Sequence, residues 1–440
     1  MRTSATRRLG DSPRTMVQKI LAGRGVDGGA EADQVALAAA PHAAVDEALA
    51  RGLKRTGVEA AVAYETTCVG PRGKDAQGRA ALLAHGLVVA RAGAGFPAPV
   101  HLERFASPAR LCVTDDPRFA SVGGIGMLAL HANASELGAA LAGLPIEIPA
   151  PRSVHVLLSG RTRPFVCARD VALDLIRRGL GDVVQRAAGE HGARVVVEIG
   201  GPSVRLLSVG DRAVIASVAP HVGAIAAIFP SDERTEVFLR DQRRSKAHRA
   251  LAPDPGAPFD DVMQVDLGAV DPLVLEGGKV RAARELAGKA VAQVVLGGDG
   301  GVTLRDLLAT AMLLKSKRVP PGLDLLFAPP TRQMLEVLAA EGALSDLIAT
   351  GARLVEPDAR VASGELYPSS GLVAQSADLG APNGVVASPE TLAFAVATGA
   401  LGDPRGFKRP VRVSVPRSLP TDDVLVLRGG PLRSKPQNKL

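Results

Sequence analysis

The chain has no tryptophan and only two tyrosines among its 440 residues, so it lacks the material for a stacking surface that would bind single-stranded nucleic acid. Its three cysteines, Cys68, Cys112 and Cys167, are far apart and form no C-x-x-C pair. They read as reduced, buried thiols rather than as a disulfide or zinc framework. Gly, Pro or a charge interrupts every apolar run well short of the ~18 residues that a membrane span needs. The net charge of +7 is modest, and much of it lies at the two ends, in Arg2, Arg7, Arg8 and Arg14 and in Arg433, Lys435 and Lys439. Such tails are solvated and do not form a nucleic-acid footprint. These absences describe a cytoplasmic chain with neither a nucleic acid nor a membrane as partner. The Arg-rich start has some transit-peptide character, but Asp11 and Pro13 interrupt any amphipathic helix there, and residues 1–14 read as a disordered leader.

What is abundant is Ala, Gly, Val and Leu, which suits closely packed α/β layers. Residues 200–233 show the pattern most clearly. Residues 194–199 (RVVVEI) are a β-branched run, hence a strand, and Gly200, Gly201 and Pro202 turn the chain. Ser208 with Asp211 three positions on is a capping box that opens a helix. Residues 224–229 read as a second buried strand, stopped by Pro230, and Ser231-Asp232-Glu233 places a cap and two acids at the start of a further helix. Elsewhere, residues 111–113 and 291–296 read as strands, Gly297 to Gly301 as a loop, and Thr303 as the cap of the next helix. The small-residue turn at Gly123-Gly124-Ile125-Gly126 is expected to open a helix through Leu130, and the Pro-rich residues 145–151 to be a linker.

Residues 200–233 strongly resemble a signature of the aconitase and 3-isopropylmalate dehydratase large subunits, E-[YF]-x-G-P-G-[VI]-x-x-L-S ending in F-P-x-D-E. Further matches are T-x-x-E-K-I-L-A at residues 15–22, V-H-L-E-R-F-A-x-P at 100–108, K-D-V at 169–171 and A-P-G-[ST]-R-Q at 328–333. The resemblance covers roughly residues 15–410. It implies an α/β fold of three α/β/α domains around a central cleft, at 15–151, 152–275 and 276–428, followed by a basic tail at 429–440. The family's swivelling fourth domain is absent from this pattern, so a separate small subunit is a candidate partner beside a small-molecule ligand.

The same resemblance shows what has been replaced. The family holds a [4Fe-4S] cluster on three cysteines, and such clusters need thiolates; the matching positions here are Asp299, Ala359 and Ala362. The family's D-S-H becomes Asp116-Pro117-Arg118, and the Asn and Glu of N-M-x-x-E become Ser217 and His221. The arginines of N-R-N-F-P-G-R should fall within residues 371–390, which contain no Lys or Arg and carry Asp378. No iron-sulfur cluster is therefore expected, and neither is aconitase or 3-isopropylmalate dehydratase activity itself. The expected catalytic set is Asp115, Asp116, Arg118, His221 and Asp299, with Glu365 near it, performing cluster-independent lyase or isomerase chemistry on a small metabolite or binding a divalent metal through carboxylates and His. The alternative is a pseudoenzyme that keeps the fold as a binding or scaffolding module. His101 reads as a structural hydrogen bonder ahead of a base.

Overall fold

The computed structural model describes residues 12–26, 29–68, 75–377, 384–421 and 424–429. Most of the leader, all of the basic tail beyond Gly429, and Asp378 lie outside the described residues.

Three sheets carry the fold, beside a small three-stranded one. The first runs in the order Val426–Arg428, Val88–Ala90, Ala60–Tyr64, Gln34–Leu37, Leu111–Thr114, Leu128–His131. The second runs Ala226–Ile228, Val195–Gly200, Arg152–Ser159, Asp261–Asp266, and is parallel throughout. The third has seven strands, with Gln293–Gly297 lying between Val373–Gln375 and Asp324–Ala328 in parallel. Strands such as VVVEI and LCVT are buried on both faces, as parallel strands with helices on either side must be. Their largely apolar runs follow from that burial.

Caps place the helices where residue pairs in the sequence require. Ser208 accepts the Asp211 N–H at 3.1 Å and Asp211 accepts the Ser208 N–H at 2.9 Å, starting Val209–Ala216. Asp232 caps Glu233–Asp241, and Thr303 caps Leu304–Leu314. The amide N–H groups of Met16 and Val17, which have no partner inside their own helix, donate to Glu198 on the second sheet at 2.9 Å each. Helix Met16–Ala22 is thereby fastened to a strand about 180 residues away in sequence.

One expectation needs correction. The stretch after Gly123 is not a helix: a 3-10 run over Pro117–Ile125 ends at Gly126, whose φ of 88° suits glycine, and Leu128–His131 is an edge strand of the first sheet. The small residues serve a close approach instead. A Cβ on Gly123 would lie 1.7 Å from the Ala227 carbonyl oxygen, and one on Gly124 2.3 Å from the Ala213 nitrogen. The two glycines thus let the first and second sheets' layers touch backbone to backbone. The strand Val426–Arg428, expected within 276–428, pairs antiparallel with Val88–Ala90 and covers an edge of the first sheet that would otherwise be unpaired. Leu273–Glu276, expected at the end of 152–275, pairs with Val385–Ala387 in the third sheet, with Leu273 and Val274 fully buried.

Candidate active site

Asp116 follows the strand Leu111–Thr114, and Asp299 follows Gln293–Gly297. Both therefore stand beyond the carboxyl ends of parallel strands, where α/β folds gather ligands. The Asp116 carboxylate accepts the Arg118 backbone N–H at 2.9 Å, which starts the 3-10 turn. The same carboxylate takes the side chain: Arg118 Nε donates to Oδ1 at 2.9 Å and Nη2 to Oδ2 at 2.7 Å. Arg118 Nη1 then reaches across to Asp299 Oδ2 at 2.7 Å. One guanidinium is thus shared by a carboxylate of the first sheet and one of the third. Both carboxylates are buried, while the Arg118 side chain keeps 32% of its surface exposed. Burial opposes the charge on Arg118, but its hydrogen bonds to Asp116 and the charge of Asp299 outweigh that and raise its pKa.

The second sheet contributes the remaining wall. Ser217, Pro220 and His221, from the turn after helix Val209–Ala216, line a cavity of about 70 Å³ together with Arg118, Arg169, Asp299 and Gly300. His221 is exposed, so solvent reaches the groups beside it. Gly300 also lines a larger, mostly apolar cavity of about 270 Å³, walled by Leu102, Val209, Val214, Val302, Leu304 and Met334. Arg169 was not among the expected site residues. It is fully buried, donates from Nη2 to the Ser376 and Ala377 carbonyls at 3.2 Å each, and comes from the K-D-V match at 169–171. Its position in that motif was the available signal.

Two candidates do not join this cavity. Asp115 points to the other side of the chain, where its oxygens accept the Ala38 and Ala40 N–H groups at 2.6 and 2.8 Å. Alternation of side chains past a strand end sends neighbouring aspartates apart. Three carboxylates therefore do not converge; two do, with a cation between them. Glu365 is exposed, in the same loop as Asp358 and Arg360, and acts on the Arg360 charge rather than lining the cavity.

The positions matched to cluster ligands fit no such group. Asp299 offers a carboxylate already bonded to Arg118, and Ala359 and Ala362 offer methyl groups. One cysteine does lie beside that loop, which spacing along the chain did not reveal: the Cys68 N–H donates to Asp358 Oδ2 at 2.7 Å, and its thiol contacts the Pro357 carbonyl at 3.7 Å. Burial and the nearby Glu356 charge push the Cys68 thiol up to about 11. Cys112 sits inside the core of the first sheet, and Cys167 starts helix Ala168–Arg177.

His101 is buried between two partners. Gln34 Nε2 donates to the Phe105 carbonyl at 3.0 Å, which leaves Gln34 Oε1 to accept from His101 Nε2 at 2.9 Å. The Tyr64 hydroxyl then donates to Nδ1 at 2.8 Å. Burial, helped by the Arg244 charge, pushes the imidazole down to about 3. With both ring nitrogens engaged, it has no lone pair for a substrate.

A family profile described as the aconitase family (aconitate hydratase) matches residues 76–288. That span holds Asp116, Arg118, Arg169 and His221 and ends before Asp299. Across longer stretches the chain is 28% identical to a 3-isopropylmalate dehydratase large subunit of Archaeoglobus fulgidus, over 72% of this chain and 77% of the relative. It is 26% identical to one of Thermotoga maritima, over 73% and 79%, and 29% identical to the homoaconitase large subunit of Thermus thermophilus, over 73% and 77%. The chain is distantly similar to these large subunits, and the aconitase profile covers just under half of it. Its mixed α/β architecture with several parallel sheets is consistent with that fold. Among the described residues, no helix is long and apolar enough to cross a membrane.

Proposed function

We propose that this chain is a hydro-lyase-like protein of the aconitase family that acts on a small anionic metabolite without an iron-sulfur cluster. The observation that carries the reading is the Arg118 guanidinium shared between Asp116 and Asp299 at 2.7 Å on each side, on the wall of a cavity that His221 opens to solvent. In such a site Arg118 and Arg169 supply positive charge for a substrate carboxylate. His221 is the side chain suited to take a proton from carbon or give one to a departing hydroxyl. Asp116 and Asp299 hold the guanidinium in place. Arg118 also stands where a cation bridging the two carboxylates would stand, so this pair serves an arginine and a divalent metal is no part of the reading. A cavity of about 70 Å³ is small, and the larger apolar one that shares Gly300 gives room for a hydrocarbon substituent. A separate small subunit, by analogy with relatives named as large subunits, would cover the cleft.

The second reading, a scaffold without turnover, draws on the same ion pairs, because Asp116, Arg118 and Asp299 satisfy one another without a ligand. A thermal-shift screen with short 2- and 3-hydroxy acids and their unsaturated products decides between them. A ligand that raises the melting temperature of the native chain and not of His221→Asn or Arg118→Met, and that is converted, supports the enzyme. Saturating binding with no conversion supports the scaffold. Neither citrate, isocitrate nor 3-isopropylmalate is expected to be turned over.

A further inference from the structure

Three helices bring their N-terminal ends together: Ala168–Arg177 beside the second sheet, and Leu304–Leu314 and Pro389–Thr398 beside the third. At that junction the Cys167 sulfur and one oxygen each of Asp306 and Glu390 all lie within 4.8 Å of one another. We propose that Cys167, Asp306 and Glu390 bind one divalent transition-metal cation of the zinc(II) type.

Helix capping accounts for part of this cluster and leaves part of it over. Asp306 is 1% exposed; its Oδ2 accepts the Thr303 N–H at 3.0 Å, and its Oδ1 has no hydrogen-bond partner. Glu390 Oε2 is likewise buried and without one. Orphaned carboxylate oxygens are costly in a protein interior unless something positive meets them. Asp170 stays outside the donor set, since its two oxygens accept the Cys167 and Leu273 N–H groups at 3.0 and 2.8 Å.

The donor set selects the metal class. One soft sulfur with two carboxylates suits zinc(II), cobalt(II) or iron(II), whereas calcium and magnesium take all-oxygen shells. Zinc bonds of about 2.3 Å to sulfur and about 2.0 Å to oxygen place donors roughly 3.5 Å apart. The donors, now within 4.8 Å of one another, must therefore close to about 3.5 Å, within reach of small side-chain rotations. Glu390 is the least buried of the three, and a water would take the fourth position. On binding, the thiol proton and any carboxyl proton leave to solvent, so loading releases protons. The cation would tie a helix of the second sheet to two of the third.

The test is titration of the full, metal-stripped chain with cobalt(II) alone. The proposal expects about one equivalent bound per chain, a thiolate-to-cobalt charge-transfer band in the near ultraviolet, a raised melting temperature, proton release, and displacement by zinc(II). Cys167→Ser should lose the band, and Glu390→Gln, a near-isosteric change at the least buried of the three, should weaken binding by about tenfold or more. Cys68→Ser and Cys112→Ser should keep the band. No stoichiometric binding, binding without the band, or a band that survives Cys167→Ser would each overturn the proposal.

Discussion

Arg118 Nη1 donates to Asp299 Oδ2 at 2.7 Å, joining two residues 181 positions apart and two different sheets. Removing the cation leaves two buried carboxylates without their main partner. Arg118→Met should lower unfolding stability by about 1–3 kcal/mol, less than a fully buried pair because the guanidinium is partly exposed. Asp299→Asn should cost less, and the double variant should be less damaged than the sum of the two. A urea denaturation cycle measures this coupling. Strict additivity would show that the bond contributes nothing in solution.

Glu103 gives a pH signature. It is buried, and burial pushes its carboxyl up to about 7 despite the Thr331 hydroxyl hydrogen bond at 2.9 Å. Because the folded pKa is the higher one, the native state keeps a proton that the unfolded chain has already lost. The stabilisation from that proton is fully present below the ordinary value of 4.5 and is lost as pH rises to about 7. Relative to Glu103→Gln, the natural chain should therefore lose about 3 kcal/mol of stability across that window. His101 slopes the other way, since its lowered pKa makes protonation favour unfolding below pH 6.5. The comparison with Glu103→Gln cancels that contribution. Parallel stability curves for the two chains would refute the assignment.

Gly123 sits where the backbones of two layers meet, and a methyl group there would overlap the Ala227 carbonyl. Gly123→Ala should cost about 3 kcal/mol or more, whereas Gly300→Ala, with nothing within 4 Å of the added carbon, should leave folding intact. Chemical denaturation of the two variants separates close approach from a general intolerance of glycine replacement.

Much of this architecture was legible where a local rule speaks for itself. Ser208 with Asp211, Asp232, and Thr303 all cap as their types and spacing require. The apolar runs at 195–200 and 293–297 are strands because nothing else buries them on both faces. The helix expected after Gly123 failed because those glycines answer to a layer about 100 residues away, and no window of neighbours contains Ala227. The pairing of Val426–Arg428 with Val88–Ala90 was not legible for the same reason: pairing across a sheet edge is decided by the edge. In the site, Asp116, Arg118, His221 and Asp299 were named from motif positions. Asp115 was misjudged because the direction of a side chain past a strand end depends on a turn one residue long. Arg169 and the position of Cys68 beside Asp358 are tertiary facts with only a faint trace in the sequence.

The central proposal is that this cleft needs no thiolate-held cluster, and iron and acid-labile sulfide in chain purified without oxygen test it most directly. Asp299, Ala359 and Ala362 offer no thiolate, so the account predicts colourless protein with neither element near stoichiometric amounts. Iron and sulfide at about four each per chain, with a visible absorbance band abolished by Cys68→Ser, would contradict it.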